Sequence, residues 1–230
     1  MGLGGDGKLA LVVTSVSRMG YYELSRGGNW EPYRSFASTP TELHHPQRQM
    51  VDVTGDGLAD LLFFEEGAVK VYPSKGKLGY DTQYQQSTDS RLPVTSHPSK
   101  HEAIHFADPF GDGGSHLMRI RNGSVECWPN LGYGRFGPMV AIANALWCVA
   151  AMDASRLFLT DIDGSGMTDL VYVAPDGVDI YRNESGNRFS APVSISLPQP
   201  WHDLSQISFA DVLGNGTACL VVSSVNHDMT

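Results

Sequence analysis

One nine-residue segment, DIDGSGMTD, carries residue types that could hold a hard cation. Oxygen-bearing side chains stand at its positions 1, 3, 5 and 9, and a backbone carbonyl is available at position 7. The ligand set is Asp161, Asp163, Ser165, the carbonyl of Met167, and Asp169. Calcium takes about six to eight oxygen ligands from short loops of this kind, and glycine at positions 4 and 6 permits tight winding. The spacing therefore predicts a Ca²⁺ site.

A second segment, DVTGDGLAD, keeps the same frame and is predicted to bind Ca²⁺ as well. Its ligand set is Asp52, Thr54, Asp56, the carbonyl of Leu58, and Asp60. Two further loops, DPFGDGGSH and DVLGNGTAC, have Phe or Leu at position 3 and His116 or Cys219 at position 9, so we expect no calcium there. The residues also allow an ion-free interpretation, in which the acids cap their own turns through Asx-type hydrogen bonds.

The loop is periodic. Its frame starts at positions 2, 52, 108, 161 and 211, which are 50, 56, 53 and 50 residues apart, although the first copy lacks the leading acid. The sequence therefore divides into repeats of approximately 2–51, 52–107, 108–160 and 161–210, followed by a partial repeat over 211–230. Periods of this length indicate a repeat architecture.

Aromatic residues keep fixed distances from the loop, which chance glycines would not produce. Counted from the fifth loop residue, the sixteenth and twenty-fourth positions are aromatic in all four full repeats, although only 10% of the chain is aromatic. The sixteenth positions are Tyr22, Tyr72, Trp128 and Tyr181, and the twenty-fourth positions are Trp30, Tyr80, Phe136 and Phe189. We expect these rings to pack between neighbouring repeats.

Each repeat is predicted to form four short antiparallel strands. An apolar strand enters the loop, a second leaves it, a third ends in the first aromatic, and a more polar fourth follows the second aromatic. Four strands every 50 to 56 residues are typical of a β-propeller blade. The predicted fold is therefore an all-β β-propeller of four-stranded blades, of which about four and a half are present, as part of a larger propeller.

Composition and motifs exclude several function classes. The formal net charge of −9 offers no basic face for nucleic acid, and we expect no direct membrane insertion. The chain shows no signal peptide. Because it also lacks a GxSxG elbow, an HExxH motif and a P-loop, we predict that it is not an enzyme.

The loops with their trailing aromatics resemble the FG-GAP or VCBS repeats of integrin α-chain propellers and of many bacterial surface proteins. A more specific run, NGSVECWPNLGYGRFG, lies within residues 118–147. That segment resembles the propeller of the B component of insecticidal toxin complexes (Tc toxins) and the N-terminal region of SpvB-type virulence proteins.

The resemblance implies a partner and a location. In the Tc family, the B-component propeller docks on the pentameric A-component channel and gates passage of the toxin, so this chain would bind such a channel as part of a secreted toxin complex. Two alternatives stay open. One is a glycan-binding, lectin-like propeller with platforms at Trp30, Trp147 and Trp201, and the other is an integrin-like adhesion module.

Overall fold

The structure is a computed structural model that describes residues 3–4, 8, 10–15, 18–65, 67–88, 92–93, 99–146, 152–196 and 207–223. The chain divides into two compact units, one formed by residues 1–97 and 129–138 and the other by residues 98–128 and 139–230. Within the described ranges, no helix is long and apolar enough to cross a membrane.

Among its described residues, the first unit contains two antiparallel sheets. A three-stranded sheet consists of β1 (Ala10–Ser15), β2 (Arg18–Glu23) and β3 (Arg34–Ser35). A four-stranded sheet follows in chain order, with β4 (Gln49–Val51), β5 (Asp60–Glu65), β6 (Ala68–Tyr72) and β7 (Tyr84–Ser87). Short 3-10 turns at Thr41–His44 and Gly76–Leu78 lie in the connections.

In the part of the second unit that the structure describes, there are two four-stranded antiparallel sheets. One joins β8 (Glu102–Ala107), β9 (His116–Arg121), β10 (Ser124–Trp128) and β11 (Val140–Ile142). The next starts after a 3-10 turn at Ala154–Arg156 and contains β12 (Leu157–Thr160), β13 (Asp169–Val173) and β14 (Gly177–Tyr181). The chain then forms a small hairpin, β15 (Asn183–Glu184) and β16 (Arg188–Phe189), before β17 (Val193–Ser196) completes that sheet. A final pair joins β18 (Ile207–Ala210) and β19 (Cys219–Val222).

Strand position decides the burial pattern. In β6, Val69 and Val71 are buried while Lys70 between them is partly exposed, which is the alternation of a strand with one covered face. In β13 all five residues of DLVYV are buried, so this central strand is covered on both faces. In the three four-stranded sheets, the apolar runs that leave the loops therefore form inner strands, which are β5, β9 and β13.

The prediction of an all-β propeller fold with four-stranded antiparallel blades is confirmed. The loops at Asp52, Asp108 and Asp161 each join the first strand of a four-stranded sheet to the second, between β4 and β5, β8 and β9, and β12 and β13. A sheet therefore begins one strand before its loop, so the structural blade is shifted by one strand from the sequence repeat.

Candidate functional site

The repeat loops wind tightly because glycine occupies their fourth and sixth positions. In the loop that starts at Asp161, Gly164 and Gly166 have φ angles of 78° and 82°, a region in which a Cβ atom is strained. Glycines at the same positions of the other acid-led loops also have positive φ: Gly55, Gly57, Gly111, Gly113, Gly214 and Gly216. The four loops therefore share a left-handed backbone conformation at both glycine positions.

The first acid of each loop caps the turn with its own carboxylate. Asp161 accepts the N–H of Gly164 on Oδ1 and the N–H of Gly166 on Oδ2, both at 2.8 Å. Asp52 and Asp108 accept the amides at the same two positions of their loops, and Asp211 accepts the one at position 6. Asx-type capping, the ion-free interpretation of these acids, is thus present in all four loops.

The acid at position 9 is buried and holds the loop to a later part of its repeat. Asp169 accepts the N–H of Ile162 on Oδ2 at 2.9 Å and the N–H of Asn183 on Oδ1 at 2.7 Å. Asp60 accepts the amides at the two equivalent positions, which are those of Val53 and Ser74. Burial raises the pKa of both carboxyl groups above the usual range, and the hydrogen bonds from backbone amides oppose that shift.

The loop at Asp161 brings three acids together. Carboxylate oxygens of Asp161, Asp163 and Asp169 all lie within 4.8 Å of one another. Ser165 at position 5 accepts the N–H of Met167 on its Oγ at 3.3 Å. This donor set consists of oxygen atoms and suits a hard cation, so the loop fits Ca²⁺ by its chemistry.

The loop at Asp52 has a different set of side-chain hydrogen bonds. Thr54 Oγ1 lies 3.5 Å from Asp52 Oδ1, and Asp56 accepts the N–H of Leu58 at 2.8 Å. Among the residues that the structure describes, the acids of this loop do not converge as those of the Asp161 loop do. Its fit to Ca²⁺ is therefore the weaker of the two.

The third loop contains a convergence that the sequence did not reveal. Side chains of Asp108, Asp112 and His116 offer ligand atoms within 4.8 Å of one another, and His116 Nε2 lies 2.9 Å from Asp112 Oδ1. His116 takes the place of the buried position-9 acid and is itself only 3% exposed. The calcium-loop pattern did not predict this cluster, because the pattern requires an oxygen ligand at position 9 and His116 offers a nitrogen there.

A hairpin follows the third strand of every full repeat and is closed by the second aromatic. Residues at the eighteenth and twenty-fourth positions pair with each other in antiparallel fashion in all four repeats. The pairs are Leu24 with Trp30, Ser74 with Tyr80, Asn130 with Phe136, and Asn183 with Phe189. This pairing explains why the second aromatic lies at a fixed distance from the loop in every full repeat.

Two of these hairpins donate hydrogen bonds to the second residue of the loop of the preceding repeat. Asn183 Nδ2 donates to the carbonyl oxygen of Pro109 at 2.8 Å. In the first unit, the carbonyl oxygen of Val53 accepts the N–H of Tyr133 at 2.8 Å and Nδ2 of Asn130 at 3.4 Å. These hydrogen bonds latch successive repeats together.

Loops of the second unit are also joined directly. The N–H of Thr168 donates to the carbonyl oxygen of Asp108 at 2.8 Å, and the N–H of Ala218 donates to that of Asp161 at 2.9 Å. In both cases position 8 of one loop donates to position 1 of the loop before it. The loops of this unit thus form a continuous hydrogen-bonded rim.

Six of the eight repeat aromatics are buried: Tyr72, Tyr80, Trp128, Phe136, Tyr181 and Phe189. Tyr181 and Phe189 belong to one apolar cluster with Met118 and Ile120 of the preceding sheet. In the first repeat Tyr22 is half-buried, whereas Trp30 is 54% exposed. The other two candidate glycan platforms, Trp147 and Trp201, lie outside the described residues.

Comparisons with known proteins agree with the repeat architecture. A family model described as an FG-GAP-like repeat matches residues 161–222. A comparison with curated proteins found no match.

Solved structures of Tc toxins are similar over nearly the whole chain. The Photorhabdus luminescens Tc holotoxin pore, with a mutation in TccC3, matches 98% of the chain with 33% identity and a TM-score of 0.87. TcdB2-TccC3 without its hypervariable C-terminal region matches 95% with 35% identity and a TM-score of 0.59. The chain spans 10% of each of those two chains.

A lectin from Agrocybe aegerita, which recognises non-reducing terminal N-acetylglucosamine, is similar in fold. It matches 93% of the chain with 18% identity and a TM-score of 0.57, and the chain covers 59% of it. At this identity the likeness concerns the fold alone.

Proposed function

We propose that this chain, a β-propeller of FG-GAP-like repeats similar to part of the Tc toxin structures, is a non-enzymatic docking segment. It binds the translocation channel of a Tc A component and takes part in gating that channel. The observation that carries this proposal is the match of 98% of the chain to the Tc holotoxin pore at a TM-score of 0.87. In this function the chain acts outside the producing cell, within a secreted toxin complex.

The geometry of the repeats suits a docking role. Within each unit, hydrogen bonds from a hairpin to the preceding loop hold that loop in place, and in the second unit the loops are also hydrogen-bonded to one another, so a partner would meet preorganised loops. The net charge of −9 favours approach to a basic partner surface, with an association rate that falls as salt rises.

Calcium would support this surface without taking part in chemistry. We propose that Asp161, Asp163, Ser165, Asp169 and the carbonyl of Met167 hold one Ca²⁺, which would offset two of the three negative charges of the clustered carboxylates. The loop at Asp52 would hold a second ion more weakly, because its acids do not converge to the same extent.

Co-migration tests the docking proposal. A full-length Tc B-type protein that carries this chain as its propeller, called the parent protein below, would be mixed with a Tc-type A-component pentamer from the same source, and the mixture would be separated by size-exclusion chromatography. We expect a shared peak that is lost when the propeller is deleted from the parent. Separate peaks from two folded proteins would reject docking.

Glycan binding is a second candidate because Trp30 presents an exposed indole, the kind of surface on which sugars stack. A glycan array probed with the chain and with Trp30→Ala would test it. Binding that disappears in the variant supports this candidate, and an empty array removes it.

A further inference from the structure

The third loop differs from its neighbours in the chemistry of its donors. Where Asp60 and Asp169 turn a buried carboxylate toward backbone amides, His116 turns a buried imidazole toward the loop, with Nε2 2.9 Å from Asp112 Oδ1. Asp108 supplies the third ligand atom. The resulting set consists of two carboxylates and one imidazole nitrogen. Hard cations such as Ca²⁺ do not favour the nitrogen ligand.

A glycine leaves space beside this set. A Cβ atom on Gly114 would lie 2.8 Å from Asp112 Oδ1 and 2.9 Å from His116 Nε2, closer than real Cβ atoms approach. Gly114 is not among the glycines with positive φ, so its backbone conformation does not demand glycine. The other described acid-led loops carry Leu58, Met167 or Thr217 at the same position. The missing side chain therefore keeps a small space open beside both donor atoms.

The surroundings hold the donors in orientation. Asp108 Oδ2 accepts the N–H of Gly113 at 2.7 Å, and the ring of Phe110 packs edge-on against His116 with 4.9 Å between centroids. Hydrogen bonds to ligating carboxylates and an apolar wall beside them are typical of metal sites, because they fix the ligands and limit water. Phe110 occupies the position at which a calcium loop would place an oxygen.

We propose that Asp108, Asp112 and His116 form a site for a divalent transition-metal ion of the zinc class. Imidazole nitrogen and carboxylate oxygen are both established zinc ligands, and three protein ligands leave a fourth position for water or for a group on a partner. The site does not depend on the docking function. A Zn²⁺ ion bound there would cross-link the two ends of the third loop, as Ca²⁺ would in the loop at Asp161.

Titration with Zn²⁺ tests the site, with Co²⁺ as a spectroscopic probe of nitrogen ligation. The untagged chain and two histidine variants would be titrated by calorimetry. His116→Gln keeps a donor for Asp112 but removes the imidazole, and His105→Gln is the matched control at an exposed histidine. We expect one Zn²⁺ per chain, weakened at least about tenfold by His116→Gln and unchanged by His105→Gln.

A second variant protects the test against loss of folding at the buried histidine. Gly114→Ala retains all three ligands and fills the space beside them, so we expect it to weaken Zn²⁺ binding by a similar factor. Circular dichroism would confirm that each variant is folded. If Zn²⁺ does not bind the original chain, or binds His116→Gln and Gly114→Ala as tightly as the original chain, the contact between His116 and Asp112 is an ion-free hydrogen bond and the proposal is wrong.

Discussion

Asn183 Nδ2 donates a 2.8 Å hydrogen bond to the carbonyl oxygen of Pro109, which lies 74 residues earlier in the chain. The same amide group also donates to the carbonyl of Thr168 at 3.0 Å, while Oδ1 accepts the N–H of Gly186 at 2.8 Å. One buried side chain thus shapes the hairpin of its own repeat and ties it to the loop of the preceding repeat.

Asn183→Ala should therefore destabilise the fold. Its removal leaves the buried carbonyl of Pro109 without this donor, and an unsatisfied buried polar group costs about 1 to 3 kcal/mol. Asn187→Ala, at an exposed position of the same hairpin, is the matched control and should change the free energy of unfolding by less than about 0.5 kcal/mol. Urea unfolding would measure both, and equal effects would argue against the latch.

Trp128→Ala should cost about 3 to 5 kcal/mol, because Trp128 is 3% exposed and large buried aromatics leave cavities when truncated. Trp30→Ala provides a comparison with the same chemical change at a residue that is 54% exposed, and it should cost much less. Thermal unfolding of both variants would test the assignment of Trp128 to the core. A small effect at Trp128 would contradict it.

The packing of the hairpin that closes at Phe136 can be tested with two glycines. A Cβ on Gly134 would meet Val71 Cγ2 at 2.7 Å, whereas a Cβ on Gly132 meets nothing within 4 Å. Both have positive φ, so alanine adds about 1 to 2 kcal/mol of backbone strain at either site. Gly134→Ala should be the more destabilising in urea unfolding, and equal losses would show that the hairpin does not press on β6.

Glu42 should make stability depend on pH. Hydrogen bonds from Lys70 Nζ and Tyr72 Oη hold the pKa of Glu42 at about 2, below its ordinary value of 4.5. Because the folded state favours the ionised form, the contribution of Glu42 to the free energy of unfolding is present above pH 4.5 and is lost as the pH falls toward 2. The side chain is 35% exposed, so solvent screening limits this contribution to about 1 kcal/mol.

Comparison of the original chain with Glu42→Gln measures that contribution. The variant should be less stable at pH 7, and the difference in the free energy of unfolding should shrink between pH 4.5 and 2. A difference that stays constant across this range would show that Glu42 does not act through its charge.

Calcium should raise the melting temperature of the chain relative to chelator, since a ligand that binds only the folded state stabilises it. Asp163→Asn removes one of the three converging carboxylates and should reduce the increase. Asp176→Asn, an exposed acid outside the repeat loops, should leave it intact. An identical transition with calcium and chelator would rule out the site under those conditions.

The periodic loop and the two aromatic offsets are local patterns, so the sequence was enough to predict four-stranded blades. The latch from Asn183 to Pro109 was not predictable in this way, because it joins residues far apart and because Ser74 replaces the asparagine in the second repeat. Burial of the second aromatic also depends on the neighbouring sheet, so spacing alone could not separate exposed Trp30 from buried Phe189. The cluster of Asp108, Asp112 and His116 was not predictable either, because it does not follow the pattern of oxygen ligands in a calcium loop.

Docking itself is best measured by binding kinetics on an immobilised A-component pentamer. The parent protein with its propeller would be injected over the pentamer at low and at physiological salt. We predict saturable binding, with an association rate that falls as salt rises because the propeller is acidic. The absence of binding between two folded proteins, or equal binding by a parent that lacks the propeller, would contradict the proposed function.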